Sequence, residues 1–538
     1  MARQSTAPVQ FTQSKRKDTS ILMTSARAGV VVPIGSFPLL AGDSASGRVG
    51  IDVQLKEMPK PLLNGVTANF QAWFVPKSCH PQFPGRDEFD HARSGLPIKS
   101  LGFADRTAPP FFTTIASASV VSTVAASDFF KTLGIHVPAG SPINSDLIDA
   151  FSLIYNFRLA AHSTRLTRRF YASENLAAAC TLPPAFWPSS RFSSVVPDYE
   201  TSLIVGSLDL DVLAGRLPIS GITRNATPAA IGNAAAFMGS STTSVNINQS
   251  TQNITINNAL FAEMAGQTIG VTLADIDKAR TTQAFAKIRS AYAGNDTNGF
   301  DNDDTIVALL MQGISVPADE FKRPWLLDSS RVPIGFAERF ATDGANLDAS
   351  VTLGRASGVL SINVPQNDVG GTVIFTVEVL PERIDERMSD EFLLATTYAQ
   401  LPNALRDVQR TEPVDLVLNR RVDSKHTTPS GLYGYEPMND KWNRDFTRLG
   451  GDFYQATPGA GWTENRSAIW QTEIVNPTFS STHYLAPAPF PHDVFANQLG
   501  HAFEVTCRHA VTIIGLTQIG DVLQENNADF AAVVGAQA

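Results

Sequence analysis

The sequence predicts a mainly β fold that is interrupted by helices and long loops. Segments near both ends of the chain alternate apolar and polar residues with period two, as half-buried strands do. The middle of the chain instead contains two stretches with the apolar spacing of amphipathic helices. We find no internal repeat and no linker rich enough to divide the chain, so residues 21–538 are expected to form one interrupted domain.

The segment LNGVTANFQAWFVPK (63–77) predicts a strand with two different faces. After the Asn64-Gly65 turn signal, one face is apolar throughout and predicts a core position. The other face begins polar but ends with Trp73 and Val75, so another part of the structure must cover that end; the family resemblance given below implies a long loop or a neighbouring subunit. Pro76 lacks an N–H donor and ends the strand. The core-facing residues are Val66, Ala68, Phe70, Ala72 and Phe74.

The other strand predictions rest on the same alternation. In RVGIDVQLKEM, the residues Val49, Ile51, Val53 and Leu55 alternate with polar or small residues. The remaining strand segments are GVLSINVP (358–365), GTVIFTVEVLPE (371–382) and HAFEVTCRHAVTIIGL (501–516). The core should therefore be built from about 20–130 and 355–538.

Two helices are predicted in the region between these strand groups, at about 130–355. One covers roughly 145–162, where Ser145 is the expected N-cap. The second covers about 273–293, where Thr272 and Asp275 give a start like a capping box and Gly294 a stop.

Residues 225–262 contain no Asp, Glu, Lys, Arg or His. Within them SVNINQSTQNITI (244–256) places apolar residues in period two around a Gln-Ser-Thr-Gln turn, which predicts a hairpin. The stretch is too polar for a core, and the family resemblance given below implies that about 200–262 forms an outward protrusion, whose tip would pack between subunits at a symmetry axis.

Composition indicates a protein that hides surface against partners. Charged residues make up 17% of the chain, against about 25% in typical globular proteins, while the apolar share of 43% suffices for a large core. The net charge of −9 argues against nucleic-acid binding by the whole surface, so any such contact must be local.

Cysteines and the N-terminus indicate where the protein is made. Cys79, Cys180 and Cys507 are too few and too scattered for a disulfide framework or a zinc site, which fits a reducing compartment. The first twenty residues lack the apolar run of a signal peptide, and no stretch approaches the length of a membrane span. We expect a protein made inside the cell, with no membrane partner.

The catalytic motifs that we searched for are absent, and the enzyme-like clusters have simpler readings. In GRDEFDHARSG (85–95), Asp87 and His91 would share a helix face, but a short charged surface helix explains them. Cys507 and His509 are expected to be a packed thiol and a hydrogen-bonded histidine. The acidic loop 296–304 does not have the spacing of a calcium-binding EF-hand. We therefore expect no catalytic residue, no metal and no cofactor.

Positive charge gathers in two places, which makes both candidates for nucleic-acid binding. One is a flexible basic arm over residues 1–20, and the other is the basic and aromatic run TRLTRRFY (164–171). Cations for phosphates beside rings for bases are typical of single-strand binding. A solvated arm and the tail of an amphipathic helix would explain them equally well. The candidate residues are Lys15, Arg16, Lys17, Arg165, Arg168, Arg169, Phe170 and Tyr171.

The order of several segments resembles the major capsid protein of the small tailless single-stranded DNA phages, the microviruses, with the gokushovirus-like branch nearest. The segments are SARAGVVVPIGSFPLLAGDSASGRVGIDVQLKEM, LNGVTANFQAWFVP, LIDAFSLIYNFRLA, ITINNALFAEMA, DIDKARTTQAFAKIRSAYAG, LYGYEPMNDKWNRDFTRLGGDF and VTCRHAVTIIGL. They are collinear with the family over most of the chain. SAYAGNDTNG stands where the family has a Gly-Thr-Arg-Tyr run, which places the chain in a distant branch.

The resemblance implies an eight-stranded antiparallel jelly-roll barrel of the viral capsid type, with long loop insertions that contain helices. It implies a structural protein rather than an enzyme, which self-assembles into a T=1 icosahedral shell of sixty copies. The implied partners are other copies of the chain, packaged single-stranded DNA, a small basic DNA-binding protein, a DNA pilot protein, an internal scaffolding protein and a host receptor of unknown identity. The implied location is the virion, assembled in the host bacterial cytoplasm.

Two other classes of protein remain open from the residues. A carbohydrate-active hydrolase on a jelly-roll sandwich would use two carboxylates, but the sequence points to no pair and gives the basic arm no purpose. A non-viral, self-associating surface protein would need a route to the surface, and no signal peptide is visible.

Overall fold

The computed structural model describes most of the chain outside residues 199–303. The described residues are 12–99, 105–115, 128–136, 142–163, 165–188, 190–198, 236–241, 244–249, 252–254, 278, 281–282, 284–286, 288–289, 292, 304–316, 322–340, 350–408, 410, 414–443, 448–455, 466–470 and 474–520.

Sixteen strands are described in these ranges. They are β1 (Ser14–Ala26), β2 (Val32–Leu39), β3 (Ser44–Leu55), β4 (Val66–Pro76), β5 (Thr114–Ile115), β6 (Ile143–Asn144), β7 (Ala236–Ser241), β8 (Ser244–Gln249), β9 (Gln252–Ile254), β10 (Trp325–Pro333), β11 (Gly335–Phe340), β12 (Ser350–Val364), β13 (Gly371–Pro381), β14 (Val414–Leu418), β15 (Leu432–Pro437) and β16 (Phe503–Gly515).

The described helices with defined bounds are mostly short. They are α1 (Arg86–Ser94), α2 (Asp128–Leu133), α3 (Asp146–His162), α4 (Leu176–Ala179), α5 (Asp304–Met311), α6 (Glu391–Leu394), α7 (Ala404–Val408) and α8 (Asn419–Val422). None of the helices in the described part of the chain is long and apolar enough to cross a membrane. Helix α1 confirms the charged helix predicted at 85–95.

Two antiparallel sheets contain most of the strand residues, which confirms the mainly β prediction. The first sheet has the order β1-β16-β3-β12-β11, and the second has the order β10-β4-β13-β2. In each sheet a strand from the start of the chain, β3 or β4, thus lies between two strands from later in the chain. Neither sheet can therefore form before segments that are distant in the sequence come together. Three small sheets, β14-β15, β5-β6 and β7-β8-β9, stand apart from these two.

The two main sheets share one core. Phe37 on β2 and Phe375 on β13 lie 6.0 Å apart between ring centroids, and both are within 6 Å of the His509 ring on β16 of the first sheet. Gly358 on β12 allows close approach, because a Cβ there would lie 2.7 Å from the Phe70 ring on β4. Alternate residues of each strand therefore face a buried interior between the sheets.

Helix α3 covers the outer face of the second sheet at the end of β4. The core-facing residues predicted on β4 are all buried, and Trp73 on its opposite face is buried as well. The ring of Phe157 on α3 packs edge-on against Trp73, with centroids 6.1 Å apart. The expectation that a long loop or a neighbouring subunit covers this position is thus corrected for Trp73, because a helix of the same chain contacts it.

Two boundaries differ from the sequence prediction. Strands β10 and β11 lie within the region predicted as an insertion, yet they pair with β4 and β12 in the main sheets. The predicted arm ends earlier than residue 20, because β1 begins at Ser14 and pairs with β16 along its whole length. Alternation is weak in SKRKDTSILM, so this strand depends on the edge that β16 offers.

By its contacts the chain divides into two compact units, one of residues 202–291 and one of all remaining residues. The first contains the β8-β9 hairpin, which confirms the hairpin predicted around residues 249–252. The described residues between 278 and 292 are helical, in agreement with the helix predicted at about 273–293. Most of the charge-free stretch 225–262 and the acidic loop 296–304 lie outside the described residues, and the predicted protrusion stays a prediction.

Candidate nucleic-acid interface

Strand β1 separates the three basic residues of the predicted arm onto two faces. Lys15 and Lys17 point away from the core and are exposed, whereas Arg16 between them points toward the partner sheet. Because side chains alternate along a strand, one of the three cations is necessarily turned away from the other two.

Arg16 has a structural role. Its guanidinium donates to both carboxylate oxygens of Asp43 and to the Thr517 hydroxyl. Asp43 is fully buried and also accepts a hydrogen bond from the Leu40 amide at 2.6 Å. Arg16 therefore holds the edge strand against the β2-β3 turn, and this placement corrects its assignment as a phosphate contact.

Lys15 and Lys17 keep the properties that the prediction requires. Both ammonium groups are exposed, and neither has a carboxylate partner among the residues that the structure describes. Their positions oppose Ile514 and Thr512 of β16, so they lie on the outward face of the first sheet. They remain candidates for phosphate binding, held on a strand rather than on a flexible arm.

The second basic run follows α3 and is largely neutralised by carboxylates. Arg168 forms two hydrogen bonds with Glu174, at 2.8 and 2.5 Å, and this contact raises the pKa of Arg168 and lowers that of Glu174. Arg165 pairs with Asp198, and both side chains are exposed. A phosphate would have to displace these carboxylates.

Arg169 is buried and serves the fold. Its guanidinium donates to the Ser152 hydroxyl and to the carbonyls of Ala179 and Thr181, and its backbone amide donates to Asn156. Burial lowers its pKa to about 10, so the group is still charged at neutral pH. Its assignment as a phosphate contact is corrected, because a cation enclosed by carbonyls cannot reach a solvated strand.

The aromatic residues of the run differ in exposure. Phe170 is 45% exposed and could offer a ring face, while its carbonyl accepts a hydrogen bond from Ser152. Tyr171 is partly buried beneath Arg168, whose guanidinium lies 5.5 Å from the ring centroid, and burial raises the pKa of its hydroxyl. Only Phe170 is thus well placed for stacking.

Two cations that the sequence prediction did not select share the outward face with Lys15 and Lys17. Arg508 on β16 and Arg48 on β3 are both exposed. Arg508 directly follows the buried Cys507, and Arg48 directly precedes the buried Val49. The period-two pattern of both strands was sufficient to place these arginines on the solvent face. They were missed because the search relied on runs of adjacent cations, and a sheet gathers cations from separate strands.

The cysteine and histidine side chains considered as candidates have structural roles. The Nε2–H of His509 donates a hydrogen bond to the Asp18 carboxylate at 2.7 Å, and the ring lies on the same face of β16 as the buried Cys507, which confirms the packed thiol and bonded histidine. Burial raises the pKa of Cys79 and of Cys507 to about 12, so both thiols are protonated and unreactive. Within the described ranges, no group of three or more His, Cys, Asp or Glu side chains could hold a metal ion.

In a comparison with known proteins, no family model and no curated protein matches the chain.

Proposed function

We propose that this chain is a structural protein, a major capsid protein that self-assembles into a closed T=1 icosahedral shell around a single-stranded DNA genome of a phage. The observation that carries the proposal is the strand order of the two main sheets. The exposed apolar surface and the pairing of the buried carboxylates support it independently.

The strand order supports an eight-stranded jelly roll. One sheet contains β1, β16, β3 and β12, and the other contains β2, β13, β4 and β10. From β1 to β4 the chain alternates between the two sheets. The next of these strands, β10, lies in the second sheet like β4. Strands β12, β13 and β16 then alternate again, beginning in the first sheet. Two interleaved Greek keys give this order, and the jelly roll is a recurrent fold of viral capsids. Strand β11 would then be an addition at one edge.

An exposed apolar surface on the segment after β13 supports self-association. We call it the apolar patch, and its residues are Phe392, Leu393, Leu394, Tyr398, Leu405, Val408 and Leu416, with exposures from 37% to 85%. Asn439 bonds to both Asp407 and Asp415, which fixes α7 beside β14 and joins the two parts of the patch. Monomeric proteins rarely expose apolar residues so densely, and such surfaces commonly mark protein interfaces.

The patch borders a surface cleft that another copy could fill. The cleft has a volume of about 160 Å³, and Leu394, Leu416, Leu418 and Trp442 contribute its apolar lining. Arg420 and Lys441 line its polar side. A closed shell needs complementary surfaces on one subunit, and exposed leucines beside a cleft with both apolar and charged lining are consistent with that requirement.

Buried arginine–carboxylate pairs stiffen the same segment. Arg387 donates to both oxygens of Asp423, at 2.9 and 3.1 Å, and Arg421 pairs with the fully buried side chain of Glu436. Arg466 pairs in the same way with Glu386. These carboxylates are held by arginines, which favours a structural role over the acid–base pair that a carbohydrate-active hydrolase would need.

The test is electron microscopy of the full chain, expressed alone and with the phage's scaffolding and small basic proteins. We expect closed particles of uniform diameter, and we expect them to protect single-stranded DNA from nuclease. A protein that stays monomeric with every assembly partner would overturn the proposal. Large open or irregular assemblies would instead favour a self-associating surface protein.

A further inference from the structure

The outward face of the first sheet is unequal in charge along its strands. Toward the start of β1 it carries four exposed cations, Lys15, Lys17, Arg48 and Arg508. We call this part the cationic half. The other half carries Asp52 and Glu504, which lie within 4 Å of Arg355 and Lys56 respectively. Positive charge is thus unpaired at one end of the face and neutralised at the other.

The strand register places the four cations close together. Arg508 is opposite Gly50 and Ala510 is opposite Arg48, so the two arginines are diagonal neighbours, about 7–8 Å apart between Cα atoms. Asp52 is the diagonal neighbour of Arg508 on the other side, and its carboxylate lies 3.9 Å from Arg355. Lys17 lies opposite Thr512, two positions along β16 from Ala510. The lysines of the edge strand and the arginines of the inner strands therefore belong to one continuous surface.

Small and hydroxyl side chains separate the cations. Thr19, Ala510, Thr512 and Ser46 occupy positions between them, and a Cβ added at Gly50 would have no atom within 4 Å. Hydroxyls can donate to phosphate oxygens, and small residues let a chain lie close to the sheet. This combination favours an extended polyanion over a protein surface.

Carboxylates near this half are already engaged. Asp328 belongs to β10 and lies beside the edge of β12, where its carboxylate accepts a hydrogen bond from the Ser361 backbone amide at 2.7 Å. Asp18 lies on the opposite face of β1, where it bonds to His509. In the described part of the chain, none of the four cations has a carboxylate partner. Their charge is available to a ligand.

We propose that the cationic half of the first sheet binds the phosphate backbone of single-stranded DNA. This inference rests on the proposed function, and it assigns the genome contact to Arg48 and Arg508 as well as to the lysines of β1. The exposed apolar side chains beside the cations are Ile21, Val359 and Ile514, which are aliphatic, at 64%, 63% and 39% exposure. Without aromatic rings for stacking, binding depends on phosphates and is tolerant of sequence.

The test measures binding of a fluorescent thirty-residue oligothymidylate to the unassembled full chain by anisotropy, over a series of salt concentrations. For single strands, each phosphate contact contributes about 0.7 to the slope of log affinity against log salt. The double variant Arg48→Gln with Arg508→Gln should therefore lower the slope by about 1.4. Its melting temperature should match that of the wild type, because both residues are exposed on the solvent face.

The matched control is Lys56→Gln with Arg355→Gln, which removes the same charge from the neutralised half. We expect its salt slope to equal that of the wild type. Equal slopes for both double variants would overturn the inference, and so would a wild-type affinity that does not depend on salt.

Shell formation by the same variants is scored separately by electron microscopy. If shells form and the arginine variant binds DNA like the wild type, only this inference fails. If the arginine variant alone shows the smaller salt slope while the wild type forms no shells with any assembly partner, the proposed function fails and DNA binding by this face stands.

Discussion

The indole ring of Trp73 lies edge-on against the ring of Phe157, with centroids 6.1 Å apart and planes inclined by 77°. This contact joins helix α3 to the outer face of the second sheet. One face of β4 thus packs into the core between the sheets, and the other packs beneath a helix from the middle of the chain. The two main sheets and helix α3 are in this way packed together.

We predict that Trp73→Ala destabilises the protein by about 3–5 kcal/mol, because it leaves a cavity between β4 and α3. The free energy of unfolding from urea titration measures the effect. Leu416→Ala, at a residue 62% exposed, serves as control and should change stability by less than about 0.5 kcal/mol. Equal effects of the two substitutions would show that α3 does not pack on β4.

Arg169 and Arg168 are adjacent but should differ in importance for stability. Arg169→Met removes a buried donor from two carbonyls and a hydroxyl, so we predict a loss of about 3 kcal/mol. Arg168→Met breaks a solvent-exposed pair with Glu174 and removes the guanidinium from above the Tyr171 ring, and it should cost about 1 kcal/mol or less. Urea unfolding of both variants checks the prediction, and a more stable Arg169→Met than Arg168→Met would contradict it.

The basic residues of β1 should have different roles, Lys15 and Lys17 in DNA binding and Arg16 in the stability of the fold. Lys15→Gln with Lys17→Gln should leave the melting temperature unchanged, while the resulting shells package DNA poorly or lose it at lower salt. Arg16→Gln should lower stability by about 1.5–3 kcal/mol, because Asp43 stays buried without its charged partner. Shells of the lysine variant that retain a full genome with unchanged salt sensitivity would exclude these lysines as DNA contacts.

Buried histidines should make stability depend on pH. Burial lowers the pKa of His483 and of His492 to about 4, below the value of about 6.5 in the unfolded chain. The unfolded state therefore binds more protons below pH 6.5, and stability falls as the pH decreases. From pH 7 to pH 5 we predict a loss of about 2 kcal/mol for each histidine.

Urea unfolding at intervals between pH 7 and pH 5 measures this loss. The variant His483→Gln with His492→Gln should show a smaller decrease over the same interval, by about 4 kcal/mol. An identical pH dependence in the wild type and the variant would contradict the assignment of the effect to these two side chains.

The apolar patch should control assembly without controlling folding. Leu405 and Val408 are 82% and 85% exposed, so Leu405→Asp with Val408→Asp should leave the melting temperature unchanged. Loss of a buried apolar contact costs about 2 kcal/mol, or about thirtyfold in association, so shells should not form. Leu499→Asp, at a residue 89% exposed outside the patch, is the matched control and should assemble normally. Assembly by the patch variant would exclude this surface as an interface.

Local patterns in the sequence were sufficient for the elements that carry their own periodicity. Alternation predicted the buried faces of β3, β4 and β16, and apolar spacing predicted α3. Ser145 stands at the N-cap position as predicted, but its hydroxyl donates to the Asp149 carboxylate and caps no backbone amide. Each of these segments buries one face whatever its neighbours are, so its pattern can be read without knowing them.

Features that depend on distant partners could not be predicted in this way. Strand β1 has little alternation and exists because β16 offers it an unpaired edge. The burial of Arg169 depends on carbonyls at and just after the end of α4, and the pairing of Arg16 depends on a turn between other strands. The local sequence around a basic residue beside a strand or helix does not show whether the partner of its side chain is a carboxylate, a carbonyl or a phosphate.

The most direct test of the central claim is an icosahedral reconstruction of particles formed by the full chain, at a resolution that traces the strands. We predict a closed shell of sixty subunits with the strand orders β1-β16-β3-β12 and β2-β13-β4-β10, and with Leu405 and Val408 buried between neighbouring copies. Particles whose subunits leave Leu405 and Val408 in solvent would contradict the account, as would a chain that remains a monomer beside all of its assembly partners.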